Sequence, residues 1–212
     1  MSKQKILIFP FGGNGREALT ILSISRSYKD FDFLGYLDDN FEDLKDLNSD
    51  ILGTCKSWYD YKDDCKLLAV PGNPNSFKER VDVIDKFNLN EFNSTSIISD
   101  TVSFSPKSVI GYNTLIMHGC YIGDNVTVGN NCVILPNTVI SHDVKIDDHV
   151  LIGSNVSVSG NVRIGYNSYI GSAVSIIGGI EIGARALVGI GSNVISDVEA
   201  NMTVVGNPAY EI

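Results

Sequence analysis

The chain has 212 residues, enough for one or two domains with a sizeable core, and its 16 basic against 25 acidic residues leave a net charge of −9. That balance excludes partners that reward clustered lysine and arginine, nucleic acid and anionic membranes among them. No run of 18 apolar residues exists to span a membrane, while four cysteines without a C-x-x-C pair (Cys55, Cys65, Cys120, Cys132) and a start, MSKQKILIFPFGG, unlike a signal peptide predict a reducing cytoplasm.

Residues 5–9 (KILIF) form a short apolar run of strand type. Pro10-Phe11-Gly12-Gly13-Asn14-Gly15 follows, and then REALTILSISRS, whose apolar spacing suits a helix. Strand, glycine-rich turn and helix make a phosphate cradle, because glycine lets the backbone approach closely and the helix N-terminus offers free N–H groups. Gly13-x-Gly15-x-x-Ala18 matches the dinucleotide fingerprint in form, and Asp38-Asp39 end a second strand at residues 33–37. A third strand at 66–70 leads to Pro71-Gly72-Asn73-Pro74 and a helix through about Phe87. Three or four parallel strands hold one mononucleotide-binding half and not two, so Gly12, Gly13, Asn14, Asp38, Asp39 and Gly72 are expected to bind a nucleotide or nucleotide-sugar instead of NAD. The alternatives are a glycine turn that only packs the helix and a solvated Asp-Asp-Asn turn.

From Ile98 to Val194 a large apolar residue returns at every sixth position, through Phe104, Ile110, Ile116 and so on, for seventeen positions. Smaller residues such as Val126, Val144, Val156 and Val174 stand two places earlier, with Cys120 and Cys132 in the same inward slot. Asn113, Asn125, Asn131, Asn137, Asn155, Asn161 and Asn167 stand three places later, where a turn needs φ > 0. This period fits neither a helix nor an ordinary strand; it predicts a β-solenoid.

The repeat [LIV]-G-x-N-x-x resembles the hexapeptide repeat of left-handed parallel β-helices, which implies eighteen residues per coil, stacked roughly 4.8 Å apart. The predicted fold class is α/β plus β: a small Rossmann-like parallel-sheet domain over 1–90 and a left-handed parallel β-helix over 91–212. With GGNGREA, LDDN and the tail Val205-Gly206-Asn207-Pro208-Ala209, the whole chain resembles the sialic acid O-acetyltransferase and PglD-like family. The resemblance implies transfer of an acetyl group from acetyl-CoA to a nucleotide-linked amino sugar for bacterial surface glycan biosynthesis, in a homotrimer without metal.

Val139-Ile140-Ser141-His142-Asp143 looks like the family's V-x-E-H-[DE], with Ser141 in place of Glu; Pro10 and Asn14 replace a Gly and a His of the opening motif. The resemblance makes His142 the catalytic base and Asp143 its partner. A histidine can take the proton from an attacking amine, and an adjacent carboxylate can orient it. A second family histidine falls on Leu151, which the resemblance places near the acetyl group, and Pro208 belongs to the tail. Stacking by eighteen puts Gly160, then Gly178 and Gly179, above His142. That bare strip suits a pantetheine arm, with Ser154, Ser172 and Ile190 as the column beside it; glycines required only at tight corners are the alternative. O-acetylation of a sugar hydroxyl and a non-enzymatic nucleotide-binding trimeric scaffold are the competing functions. Zinc chemistry of the γ-carbonic-anhydrase type needs closer histidine spacing than His142 and His149 provide.

Overall fold

The computed structural model describes residues 3–212; Met1 and Ser2, the first residues of the expected 1–90 unit, lie outside the described residues. The N-terminal part holds four strands: β1 (Gln4–Phe9), β2 (Phe31–Leu37), β3 (Ile51–Gly53) and β4 (Cys65–Ala69). They form one parallel sheet in the order β3-β2-β1-β4. Helix α1 (Gly13–Ile24) joins β1 to β2. It starts at Gly13, three residues before the sequence pattern suggests, so Gly13 and Asn14 lie in its first turn. Gly15 is the glycine its surroundings demand, since a Cβ there would sit 2.1 Å from the Pro10 carbonyl oxygen. Three short helices follow: α2 (Phe41–Leu44), α3 (Trp58–Tyr61) and α4 (Arg80–Asp85), the last ending before Phe87. Strand β3 escapes a pattern reading because its three residues carry no alternation to detect.

Among the described residues, seventeen two-residue strands, β5 (Ile97–Ile98) to β21 (Asn193–Val194), put each apolar residue of the sixfold series second in a strand. Strands eighteen residues apart pair in parallel, as Val133 does with Leu115 and Leu151. These seventeen strands make three parallel sheets of six, six and five strands, called here the first, second and third faces, the first being extended to eight strands by two more at its end. They fit a left-handed β-helix. The first face ends in a hairpin of β22 (Thr203–Gly206) and β23 (Ala209–Glu211).

Valine, isoleucine and cysteine fill the prism: Cys120, Val126, Cys132, Ile140, Val144 and Ile152 are all buried in one cluster. Each valine or isoleucine so buried contributes about 1.5–3 kcal/mol by leaving water. Phe104 is the exception at 51% exposed, because it belongs to the first coil, which has no coil beneath it. Every sixth residue from Asn113 to Gly191 turns a corner at φ between 52° and 77°. Asparagine holds half of these corners; Asp143, His149, Ala173 and Arg185 occupy others.

The N-terminal sheet docks sideways on the first face. The outward residues of that face, Ile97, Leu115, Val133 and Leu151, are apolar and pack with Ile8, Ile21, Tyr36, Leu68 and Phe77 in one buried cluster. The connecting segment is also pinned: Leu67 of β4 donates to the Asn93 carbonyl and accepts from the Thr95 amide.

Candidate active site

His142 lies where the chain turns from the second face to the third, in the corner after the strand Val139–Ile140. Its Nδ1 is 2.8 Å from Asp143 Oδ2. Asp143 turns the corner at φ 59°, which brings its carboxylate back beside the preceding side chain. The Asn125 amide, one coil below, donates to Asp143 Oδ1 at 2.7 Å. That bond foremost, and the imidazole second, hold the Asp143 carboxyl below the usual carboxylate range. Hydrogen-bonded to a carboxylate, Nδ1 carries the proton, and Nε2 is left as the basic nitrogen.

The imidazole leans over Gly160 in the next coil. A Cβ at Gly160 would lie 2.6 Å from both Cε1 and Nε2, so the seat exists only because residue 160 has no side chain. The strip expected to be bare is therefore occupied by the His142 ring at Gly160 and becomes open beyond it: nothing lies within 4 Å of a Cβ placed on Gly179. Gly178 backs onto the Gly160 carbonyl, 2.9 Å from its would-be Cβ.

The other expected cofactor residues lie elsewhere on the prism. Ser172 and Ile190 stand at the corner between the first and second faces, where Ser172 Oγ accepts from the Ser154 amide. Between the two corners the second face presents the small exposed side chains Ser157 and Ser175. Pro208 sits in the β22–β23 turn. Leu151 is buried on the first face, and its Cδ1 would be 2.9 Å from a Cβ on Gly72. In one chain it is thus not beside Gly160.

The expected nucleotide residues cluster at the C-terminal ends of β1, β2 and β4. Gly12 caps α1, and Asn14 Nδ2 donates to the Val70 carbonyl, joining the two glycine turns. Asp38 is only 5% exposed, and its carboxylate accepts from the amides of Phe11 and Asn40 and from Asn40 Nδ2. It holds the turns in place and has little left to offer a ligand. Asp39 is more open, accepting from the Cys55 amide with Lys86 Nζ 3.8 Å away. Asn14, Gly72, Pro74, Val133, Leu151 and Tyr169 line a cavity of about 170 Å³ between the sheet and the first face.

Arg80 has no counterpart in the sequence reading. The Arg80 guanidinium is 1% exposed, donating from Nε to the Pro71 carbonyl and from Nη1 to the His149 carbonyl. It ties the turn before Gly72 to the solenoid, and burial pulls it down to about 10, so it stays charged at neutral pH. His149, at a buried corner, is pulled down to about 4 by burial first and by Arg80 second, and stays neutral there. Among the described residues no group of three or more His, Cys, Asp or Glu side chains is placed to hold a metal ion. Nor is any helix among them long and apolar enough to cross a membrane.

Comparisons with known proteins follow the same lines. A family model described as the GMPPB C-terminal domain matches residues 92–180. Comparison with curated proteins finds no match. The acetyltransferase domain of PglB from Neisseria gonorrhoeae, solved with acetyl coenzyme A, superposes with a TM-score of 0.85 at 21% identity, covering 99% of this chain and 100% of that one. PerB from Caulobacter crescentus, solved with CoA and GDP-perosamine, gives 0.84 at 17% identity over 100% and 98% of the two chains. WeeI from Acinetobacter baumannii gives 0.80 at 22% identity over 99% and 100%. These likenesses show the fold. They extend over the sheet and the solenoid together, so the pairing of the two parts is shared as well.

Proposed function

We propose that the chain transfers the acetyl group of acetyl-CoA to the amino group of a nucleotide-linked amino sugar, with His142 as general base and Asp143 as its orienting partner. The observation that carries this reading is the seated imidazole: Nδ1 is held by Asp143 and the ring rests on Gly160. The acetyl coenzyme A of the PglB domain structure and the CoA and GDP-perosamine of the PerB structure support the two substrate classes.

In the mechanism, the neutral sugar amine attacks the thioester carbonyl while Nε2 takes its proton. The tetrahedral intermediate collapses, the C–S bond breaks, and the imidazolium returns the proton to the departing CoA thiolate. Asp143 stabilises the imidazolium and keeps Nε2 aimed. The products are the N-acetyl sugar and CoA thiol. An amine needs no activation beyond this single base, which favours it over a sugar hydroxyl. The pantetheine arm would lie along the second face, past Gly178, Gly179, Ser172 and Ile190, towards the tail at Pro208.

Residues 1–90 act in this reading as a Rossmann-like acceptor-binding unit and 91–212 as the acetyl-transfer unit. The glycine turns at Gly12, Gly13 and Gly72 cradle the diphosphate through backbone N–H groups, and Asp39 reaches the base or ribose. Asp39→Ala should raise KM for the nucleotide-sugar roughly tenfold or more, equivalent to about 1.4 kcal/mol of binding, and leave KM for acetyl-CoA unchanged. A rise in the acetyl-CoA KM instead would show that the substrates are assigned to the wrong units.

A homotrimer with sites between protomers completes the proposal. His142 projects from the corner of the second and third faces, whereas the Gly72 cavity lies against the first face, so a neighbouring prism would bring the two together. Tyr121 and Val139, 48% and 41% exposed on the second face, offer apolar surface for that contact. Sedimentation should give three times the monomer mass, and a fully active monomer would rule the arrangement out. A cytoplasmic location belongs to the same reading, and the four free, buried cysteines support it.

A further inference from the structure

The His142 corner is built from a column of polar residues on successive coils. Lys107 Nζ lies 3.1 Å from Asp124 Oδ2, and Ser105 Oγ donates to Asp124 Oδ1 at 2.7 Å. One coil on, Asn125 Nδ2 donates to Asp143 Oδ1 at 2.7 Å, and Asp143 Oδ2 meets His142 Nδ1 at 2.8 Å. Both oxygens of Asp143 are thus engaged, one by a fixed amide and one by the imidazole. Asparagine at such corners is ordinary in this chain, since it supplies the left-handed turn. Among the described corner asparagines, Asn125 differs in that its side chain donates to a carboxylate; Asn113 reaches the Ala69 carbonyl and Asn131, and Asn167 reaches the Lys78 carbonyl.

We infer that Asn125 is a positioning residue for acetyl transfer: its amide clamps one oxygen of Asp143 so that the other oxygen holds the His142 ring with Nε2 facing the substrate. The inference rests on His142 being the base. The clamp matters because Asp143 is exposed and an unheld carboxylate would turn among several rotamers, taking the imidazole with it. The charged groups facing Asp143 are His142, Asp124 and Lys107, and the Lys107 ammonium offsets the like charge of Asp124. Asn125 is the neutral donor among them, so its bond orients the carboxylate without removing the charge that stabilises the imidazolium.

The test uses two variants that keep the left-handed corner. Asn125→Asp is nearly isosteric, and aspartate already occupies the same kind of corner at Asp143; it replaces the donor with a carboxylate facing a carboxylate. Asn125→Gly removes the donor without adding charge. Each should lower kcat about ten- to a hundredfold, in the range that loss of orientation costs, with KM for both substrates nearly unchanged. In Asn125→Asp the added negative charge favours the imidazolium, so the acid limb of the kcat profile should move to higher pH; in Asn125→Gly that limb should move less. His142→Ala, measured in parallel, separates the two ideas: if it abolishes turnover while both Asn125 variants keep kcat within twofold and an unmoved profile, the positioning role is wrong and the base stands. If His142→Ala stays active, the base assignment fails and Asn125 loses its role with it. A fall in kcat matched by a falling melting temperature in both variants, with no change in the pH profile, would reduce Asn125 to a corner residue and overturn the proposal.

Discussion

Replacing His142 with alanine is expected to lower kcat by roughly 10²- to 10⁴-fold, the usual worth of a positioned general base, with little change in either KM or in thermal stability. The stability expectation follows from its surroundings. The side chain is 61% exposed and makes its one hydrogen bond to Asp143, itself on the surface. Removing it opens no cavity and strands no buried polar group, the two usual causes of large destabilisation. Truncation also leaves the Gly178–Gly179 strip untouched, so acetyl-CoA affinity should persist. A variant that retains more than half of the parent kcat would remove His142 from the mechanism.

The second large effect is expected from a single methyl group. Gly160→Ala should lower kcat about a hundredfold, the cost that a displacement of about 1 Å carries in a positioned site. Gly160 does not use the left-handed region, so alanine is acceptable to its backbone, and the atoms its Cβ would strike belong to the His142 ring at 2.6 Å and 3.1 Å. The ring, at the end of a flexible side chain, gives way before the coil does. Stability should therefore change little while Nε2 moves off its line of attack. A double-variant cycle distinguishes this from direct contact with the cofactor. In a His142→Ala background, Gly160→Ala should have almost no further effect on kcat; an undiminished effect there would mean that residue 160 acts on acetyl-CoA and not through the imidazole.

How much of this was legible in the sequence depends on which residues one follows. The sixfold series from Ile98 to Val194 reads out strand by strand, because in a solenoid the side-chain period and the coil period are the same information. As the structure does, stacking by eighteen places Gly160 against His142. It did not show that the imidazole itself would fill that space, since rotamers are not a property of spacing. The side of the prism that receives the N-terminal sheet was also readable: Ile97, Leu115, Val133 and Leu151, eighteen apart, are outward positions yet apolar. The sequence pattern taken alone attends to inward residues and passes over that signal. Asp38 misleads for the opposite reason, as a carboxylate after a strand looks available until the amides of Phe11 and Asn40 are seen to occupy it. Arg80 was not readable, because a buried arginine bonded to two backbone carbonyls leaves no charged partner to find in the chain. The corner residues divide similarly: asparagine announces a left-handed turn, whereas Ala173 and Arg185 adopt it only because neighbouring coils impose it.

One assay tests acetyl transfer to a nucleotide-linked amino sugar most directly. UDP-, dTDP- and GDP-linked amino sugars, with sialic acid as the hydroxyl control, are offered with acetyl-CoA, and thiol release is followed alongside the position of the acetyl group by mass spectrometry and NMR. The prediction is stoichiometric thiol release with at least one nucleotide-linked amino sugar and an acetyl group on its nitrogen, dependent on His142. Acetylation of sialic acid oxygen with every amino sugar left untouched, or no thiol release with any acceptor, would contradict it.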